Sequence, residues 1–462
     1  MRDTAAAIAA NRFGFGARAG ELARIASDPR GWLTAQLKNA PSALTGPALQ
    51  DSASILASVQ ELRRERRGAK LSSEEQLAAV KKIGELYRPI YVGEATARLR
   101  GAVESERPFI ERLTQFWTNH FAVSVDKAVV LGLAGSLERE AIRPHVLGRF
   151  ADMLLAVEQH PAMLLYLDNA GSVGPDSVAA LLARMRRGKA PLGINENLAR
   201  EILELHTLGV DAGYTQADVT TFAQVISGWS IGGGLGRLSG GEPGHFMFRP
   251  ALHEPGAKVV LGKRYAQEGI AQGEAVLRDL AASPATAHHI AVKLARHFVA
   301  DEPPQSIIDR LTQAYLHSGG DLPHVYRALI DSPEPWVDPL AKYKTPTDYL
   351  ISTYRALDVP VIEGHGALAA LEQLGQRTYS PGSPAGWPDR SADWDGASAL
   401  LKRIEWADTL AQRLGAQRDA QQLAPQLLGA TLSDATRTAL AHAATAPQAL
   451  TLLLAAPEFL RR

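Results

Sequence analysis

The chain of 462 residues has 49 Lys and Arg residues against 49 Asp and Glu residues, and it contains no cysteine. This balance argues against a dedicated nucleic-acid binder, which usually has a basic excess. The lack of cysteine excludes disulfides, thiol catalysis and Cys-ligated zinc or iron–sulfur sites. An apolar fraction of 46% excludes a chain that is disordered throughout.

The N-terminal segment determines the expected compartment. Its apolar run, Ala5 to Ala10, is too short for the apolar region of a signal peptide. No stretch reaches the roughly eighteen apolar residues that a membrane span needs. We therefore expect no membrane span, no export signal in the chain as given, and a cytoplasmic location.

Apolar residues recur at three- and four-residue spacing along most of the chain, which is the period of an α-helix. The segment 107–121 places Phe109, Leu113, Phe116 and His120 on one helical stripe. Further helices are predicted over 133–142, 150–167, 195–208, 215–227, 274–280, 284–299 and most of the chain after residue 321. The pattern predicts a mainly α fold, formed as one compact multi-helix domain spanning 1–462.

Three segments interrupt the helical pattern. Segment 171–193 is rich in Gly and Pro, which predicts a flexible connection. Its cluster of basic residues lacks the aromatic residues of a nucleic-acid site. We therefore expect no nucleic-acid partner. Segment 228–265 is Gly-rich with alternating apolar residues and predicts a small β-hairpin insertion. Segment 375–396 contains several prolines together with Trp387 and Trp394. Loops of this length are usually functional or packed against the core, so we predict an ordered loop.

The helix predicted over 195–208 contains the densest set of polar residues. Asn197, Glu201 and Glu204 are spaced i, i+4 and i+7 and share one face, with Arg200 beside them. Two carboxylates one turn apart repel each other, so if buried together they hold a proton or share a cation. This predicts an acid–base site in which Glu201 and Glu204 could bind a divalent metal. The alternative is an exposed face with salt bridges from Glu196 to Arg200 and from Arg200 to Glu204.

Histidines supply the remaining candidates. His120 could act as a base or ligand, although a lone histidine on an apolar stripe is more often a core residue. His206 lies opposite the carboxylates on a regular helix and joins them only if the last turn distorts. His289, Lys293 and His297 form an i, i+4 ladder that could meet an anion, but we favour solvent exposure for it. The predicted catalytic set is Asn197, Arg200, Glu201, Glu204, His120 and His206.

Several motifs resemble one bacterial family. The run NENLAREILELHTLGVDAGYTQADV closely resembles the signature of the domain-of-unknown-function family numbered eighteen hundred. The segments ERLTQFWTNHFAVS, REAIRPHVLGRFADMLLAVEQHPAMLLYLDN, HEPGAKVVLG, LARHFV, SPGSPAGWP and LLLAAPEFLRR match it in the same order. The chain is therefore identified as a member of that family over nearly its whole length.

The resemblance implies a limited set of properties. Members are predominantly helical, and many have export signals, so a periplasmic location is the alternative to a cytoplasmic one. Many are encoded beside a protein that resembles alkaline phosphatases and sulfatases, which implies a partner of that type. No catalytic residues come with the resemblance.

Two functions follow from these patterns. The first is a hydrolase-type enzyme that uses the carboxylates of the 195–208 helix, with a divalent metal as its cofactor if they share a cation. The second is a non-enzymatic binding or assembly protein that works with a partner protein, for which Trp387 and Trp394 would provide contacts if exposed.

Overall fold

The computed structural model describes residues 2–64, 73–185, 193–210, 212–234, 239–337, 340–361, 364 and 366–462. Within these residues the chain is mainly α-helical, which confirms the predicted fold class. The first fourteen α-helices are α1 (Arg2–Ile8), α2 (Glu21–Ile25), α3 (Pro29–Gln36), α4 (Ser52–Arg64), α5 (Ser73–Glu104), α6 (Pro108–His120), α7 (Ala134–Leu137), α8 (Phe150–Glu158), α9 (Pro161–Tyr166), α10 (Val178–Met185), α11 (Asn197–Glu201), α12 (Gln216–Val225), α13 (Ile270–Ala281) and α14 (Pro284–Phe298). The following ones are α15 (Gln305–Ser318), α16 (Leu322–Asp331), α17 (Pro346–Leu357), α18 (Gly366–Leu374), α19 (Ala397–Leu414), α20 (Ala420–Leu428), α21 (Asp434–Ala441) and α22 (Ala446–Leu454).

Three π-helical turns alter the regular helices in the described part of the chain, at Ala9–Phe13, Glu138–Ile142 and Ile202–His206. A π turn closes its hydrogen bonds over five residues instead of four, so it rotates the residues at its end away from the face that a regular helix would give them. The third turn directly follows α11 and therefore changes the direction in which His206 points.

Two short antiparallel hairpins lie within 228–265, where the sequence predicts one. Strand β1 (Trp229–Ile231) pairs with β2 (Phe246–Phe248), and β3 (Lys258–Val260) pairs with β4 (Lys263–Tyr265). The opposing residues are Trp229 and Phe248, Ser230 and Met247, Ile231 and Phe246 in the first pair, and Lys258 and Tyr265, Val259 and Arg264, Val260 and Lys263 in the second. Both sheets are too small to be stable alone and depend on packing against helices.

Buried apolar side chains form two large clusters. The first draws on α1 to α9, α11 to α16 and Leu368 of α18, and the second on α17 to α22. Helix α5 belongs to both, because Tyr87 and Ile90 pack into the first cluster while Leu99 and Ala102 pack into the second. Burying each large apolar side chain contributes roughly 1.5–3 kcal/mol, so this long helix ties the two clusters together.

The start of α17 brings a carboxylate to the junction of these clusters. Thr345 caps the helix, since its Oγ1 accepts a hydrogen bond from the backbone N–H of Asp348 at 3.1 Å. In return the backbone N–H of Thr345 donates to the Asp348 carboxylate at 3.4 Å. This capping box, with Pro346 at the first helical position, fixes Asp348 in the first turn, where a negative charge is favoured.

Two predicted interruptions differ in how fully they are described. Segment 171–193 contains α10, but residues 186–192, with Arg186, Arg187 and Lys189 of the basic cluster, lie outside the described residues. Loop 375–396 is described throughout and contains a 3-10 turn at Ser391–Asp393. Among the helices of the described ranges, none combines the length and the apolar character that crossing a bilayer requires.

Candidate functional site

A cavity of about 100 Å³ lies between α6, α14, the start of α17 and the loop 375–396. Its lining draws on both apolar clusters. Its charged lining residues are Arg98, Arg112, Lys293, Arg377, Asp348 and Asp389, with His120 and His297 beside them. Since one water molecule needs only roughly 10–15 Å³ of such space, the cavity has room for a charged group.

His297 and Asp389 form a hydrogen-bonded pair in the wall of this cavity. His297 Nδ1 lies 3.1 Å from Asp389 Oδ1, and the side chains keep 15% and 24% of their surface accessible. Burial lowers the pKa of His297 to about 4, so the imidazole is neutral at pH 7. An ionised carboxylate only accepts hydrogen bonds, so Nδ1 donates the proton and Nε2 keeps the lone pair. His297 Nε2 has no hydrogen-bond partner among the described residues.

The ionised state of Asp389 has identifiable causes. Burial opposes ionisation, but the interaction with His297, including its hydrogen bond, and the charges of Lys342 and Arg462 hold the pKa of Asp389 well below its usual range. The Lys342 ammonium also donates to the Asp389 backbone carbonyl and lies 2.6 Å from Asp301. Asp389 is therefore held as a fixed negative group behind His297.

The loop that presents Asp389 is fixed on both sides. Asn119 on α6 accepts a hydrogen bond from the Trp387 N–H at 2.8 Å and donates to the Trp387 carbonyl at 2.9 Å. After Asp389, the Ser391 N–H donates to Asp301 at 2.8 Å. Trp394 is buried and donates its indole N–H to the Pro388 carbonyl at 3.0 Å. These bonds hold the site in one geometry, as preorganised chemistry requires.

Arg112 brings an incompletely paired guanidinium to the cavity. Its Nε donates to the Gly14 carbonyl at 2.7 Å, and its Nη2 lies 3.2 Å from Asp348. The same carboxylate lies 2.9 Å from Arg462 Nε, so one negative charge serves two guanidinium groups. In the described part of the chain, Arg112 Nη1 is buried without a hydrogen-bond partner. Arg112 therefore lines the cavity and keeps one buried donor without a partner among the described residues.

Lys293 provides a second cation one helical turn before His297 on α14. Burial lowers the pKa of Lys293 to about 8, and Asp389 is the carboxylate whose charge opposes this shift. No hydrogen bond or salt bridge joins Lys293 to another residue of the described ranges. At pH 7 it is therefore a mostly protonated ammonium without a direct partner.

A buried ion network includes three further residues of the cavity lining, Arg98, Thr118 and Tyr379. Glu138, which is fully buried, lies 2.7 Å from Arg98 and accepts hydrogen bonds from Thr118 and Tyr379. Arg143 lies 3.6 Å from the same carboxylate. Tyr379 itself has a left-handed φ of 53°, which is uncommon for a residue other than glycine. The charge of Arg98 is therefore compensated by Glu138.

The histidines predicted as catalytic lie mainly in a buried structural network. His120 Nε2 donates to the His206 carbonyl at 3.1 Å, and His289 Nε2 donates to the Leu205 carbonyl at 3.1 Å. These carbonyls are at the end of the π turn, where helix carbonyls lack partners within the helix. His206 Nδ1 lies 2.8 Å from Glu158, and both side chains are fully buried. Of the six predicted residues, only His120 lines the cavity.

The predicted carboxylate face lies elsewhere. Asn197 is exposed, whereas Glu201 and Glu204 are half-buried. Burial raises the pKa of Glu201, and the charge of Glu204 adds to this while His206 opposes it. Arg200 pairs with Glu196 at 3.3 Å and hydrogen-bonds Gln216, so one of the two predicted surface salt bridges is present.

A divalent metal on Glu201 and Glu204 stays a prediction. No group of three or more His, Asp or Glu side chains in the described ranges is arranged to hold a metal ion. The cavity residues that our reasoning missed are Arg112, Asp348 and Asp389, which come from distant parts of the chain. The sequence signal for this cavity was the ladder of His289, Lys293 and His297. The prediction that the ladder is exposed to solvent is wrong, because all three side chains are half-buried.

The chain is thus a mainly α-helical protein with a charged cavity at the junction of two apolar clusters. The sequence profile of the family described as "Protein of unknown function (DUF1800)" matches residues 8–461. The chain belongs to this family, which confirms the resemblance of its motifs. Neither a curated protein nor a solved structure matches it.

Proposed function

We propose that the protein is a hydrolase whose active site is the cavity around His297. Neutral His297 would accept a proton from a bound water through Nε2 while the water oxygen attacks the substrate. Asp389 would hold the imidazole in the required tautomer and stabilise the imidazolium. Arg112 and Lys293 would stabilise the negative charge that develops on the substrate oxygen. The imidazolium then returns the proton to the leaving group, which restores the starting state.

The observation that supports this proposal is the state of His297 beside the cavity. Its Nδ1 is hydrogen-bonded to the ionised carboxylate of Asp389, and its Nε2 has no hydrogen-bond partner among the described residues. A second His–Asp pair in the chain provides a contrast. His324 lies 2.7 Å from Asp321, but its side chain is 64% exposed and does not line the cavity. The His297 pair differs from it by its burial, its lowered pKa and its two neighbouring cations.

The first test removes the carboxylate of the pair. Asp389→Asn is expected to lower hydrolysis at least about a hundredfold, because an amide at this position can donate to Nδ1 and favours the wrong imidazole tautomer. The assay is a panel of chromogenic carboxylic, sulfate and phosphate esters. Asp321→Asn is the matched control, since it alters the exposed His–Asp pair and should keep the wild-type rate.

The same panel separates the cavity from the predicted carboxylate helix. The double variant Glu201→Gln with Glu204→Gln should keep the wild-type rate if the cavity is the active site. If instead that variant loses turnover while Asp389→Asn keeps it, the carboxylate helix is the active site and our assignment is wrong. The absence of any hydrolysis by the wild type over the panel would also contradict the proposal.

A second candidate function, binding of a partner protein, is supported by the outer face of α10. Val178, Leu181, Leu182 and Met185 are 57%, 46%, 51% and 80% exposed. Exposed apolar patches of this kind often mark interaction sites. The loop 375–396 suits this role less well, because Trp394 is buried and cannot offer its ring to a partner. The partner would be the phosphatase- or sulfatase-like protein that the family resemblance implies.

This second candidate has its own test. Leu182→Glu combined with Met185→Glu is expected to abolish co-purification with that partner, because two charges would have to be buried in the contact. Exposed Leu401 and Leu452 on other helices provide the control pair for the same substitution. Unchanged co-purification of the α10 variant would remove the support for this function.

A further inference from the structure

We propose that the substrate enters the cavity with an oxyanion group, a carboxylate or a sulfate ester, held by Arg112 and Lys293. This inference rests on the proposed hydrolase and names its substrate class. The two cations lie on different helices, α6 and α14, and face the same small space. Lys293 precedes His297 by one turn, and the charge of Arg112 acts on His297 directly. A group bound between them is therefore adjacent to the imidazole.

The unpaired donors are the first line of support. Arg112 is 1% exposed, yet its Nη1 has no hydrogen-bond partner among the described residues. Leaving a buried charged donor unsatisfied is costly, so such atoms call for a ligand that satisfies them. An oxyanion accepts from a guanidinium and an ammonium at once, and both bonds are charge-assisted.

The charges around the cavity favour a negatively charged ligand. Arg98 is balanced by Glu138, and Arg377 lies 3.4 Å from Asp126. Lys293 is balanced through space by Asp389.

Asp348 is the carboxylate between Arg112 and Arg462, and its charge also acts on Arg403, so positive charge exceeds negative charge at this part of the cavity wall. Behind it, the charges of Arg112, Arg403 and Arg462 also act on Lys344. A bound anion would offset part of this excess, whereas a neutral ligand would leave it in place. The cavity has room for a charged group of the size of a carboxylate or a sulfate.

Calorimetric titration with acetate and with methyl sulfate, at ionic strength held constant with chloride, tests the site. We expect one of the two anions to bind one per chain and to inhibit hydrolysis competitively; which one does so identifies a carboxylate or a sulfate ester. Lys293→Gln should weaken this binding by roughly ten- to a hundredfold, the worth of one charge-assisted bond, and Lys293→Arg should retain it. Arg296→Gln is the matched control, because it removes the same charge from α14 outside the cavity lining.

The outcomes separate this inference from the proposed function. If neither anion binds, or if binding is insensitive to Lys293→Gln in a variant with a wild-type melting curve, the oxyanion site is refuted. Hydrolysis of neutral esters that depends on His297, without anion binding or inhibition, would refute the site but leave the hydrolase standing. A third outcome is that anion binding requires Lys293 while Asp389→Asn leaves the rate of hydrolysis unchanged. This outcome would refute the proposed hydrolase and support the anion site.

Discussion

Replacing His297 by Gln is expected to lower kcat/KM for the best ester of the panel by about 10²- to 10⁴-fold, the usual contribution of a positioned general base. Glutamine is close to histidine in size and can still hydrogen-bond Asp389, but its amide cannot accept a proton at neutral pH. The loss should therefore fall on kcat more than on KM. His324→Gln, at the exposed His–Asp pair, should leave both constants unchanged and serves as the control.

The pH dependence of the wild-type enzyme provides an independent check of the same residues. His297 must be neutral to act as a base, so kcat/KM should rise as the pH passes about 4. Lys293 must be protonated to stabilise negative charge, so kcat/KM should fall as the pH passes about 8. Between these values the profile should be flat.

Lys293→Arg should move the falling limb of this profile to higher pH, because a guanidinium keeps its proton throughout the range. A rising limb near pH 6.5 would contradict the assignment, because it would indicate an ordinary exposed histidine as the base. A falling limb that Lys293→Arg leaves in place would show that a different group loses its proton there.

The sequence was sufficient to predict the fold class, because apolar residues at helical spacing extend along most of the chain. The family was also predictable from its motifs, and the match over residues 8–461 confirms it. The stripe of Phe109, Leu113 and Phe116 was predicted in the same way, and all three side chains are buried. Such patterns are local, so a single segment of sequence contains the whole signal.

The candidate site was harder to predict from the sequence, for two physical reasons. A polar ladder such as His289, Lys293 and His297 has the same spacing whether it faces water or a cavity, and only the packing of distant segments distinguishes the two. Asp389 reaches His297 across 92 positions of the chain, from a loop with no periodicity. The predicted position of His206 was affected separately, because a regular helical repeat does not predict the π turn at Ile202–His206.

The buried amine of Lys344 leads to the largest expected change in stability. Its side chain is 1% exposed, its Nζ lies 4.4 Å from the centre of the Phe459 ring, and no hydrogen-bond partner for Nζ exists among the described residues. Burial, together with the charges of Arg112 and Arg403, lowers the pKa of Lys344 from 10.5 to about 7. Each pKa unit corresponds to about 1.4 kcal/mol of unfolding free energy, so Lys344→Met should stabilise the fold by up to about 5 kcal/mol.

The size of this stabilisation depends on pH in a defined way. Below about pH 7 the folded and unfolded chains both bind the proton, so the wild type bears the full cost of the buried charge. Between about pH 7 and 10.5 only the unfolded chain binds it, so the stability of the wild type rises with pH and the advantage of Lys344→Met shrinks. Urea unfolding should therefore show a gain for the variant at pH 6 that is about 3 kcal/mol larger than its gain at pH 9.

The neighbouring Lys342 provides the matched control for this substitution. It is equally buried, but its ammonium is paired with Asp301 at 2.6 Å and donates to the Asp389 carbonyl. Lys342→Met should therefore destabilise the fold, because it leaves buried acceptors without their donor. A loss of stability in Lys344→Met at pH 6 would instead mean that the Lys344 ammonium has an anionic partner in the folded protein. The two substitutions are therefore expected to change the free energy of unfolding in opposite directions. Because Lys342 and Lys344 are equally buried, this difference follows from their hydrogen-bond partners.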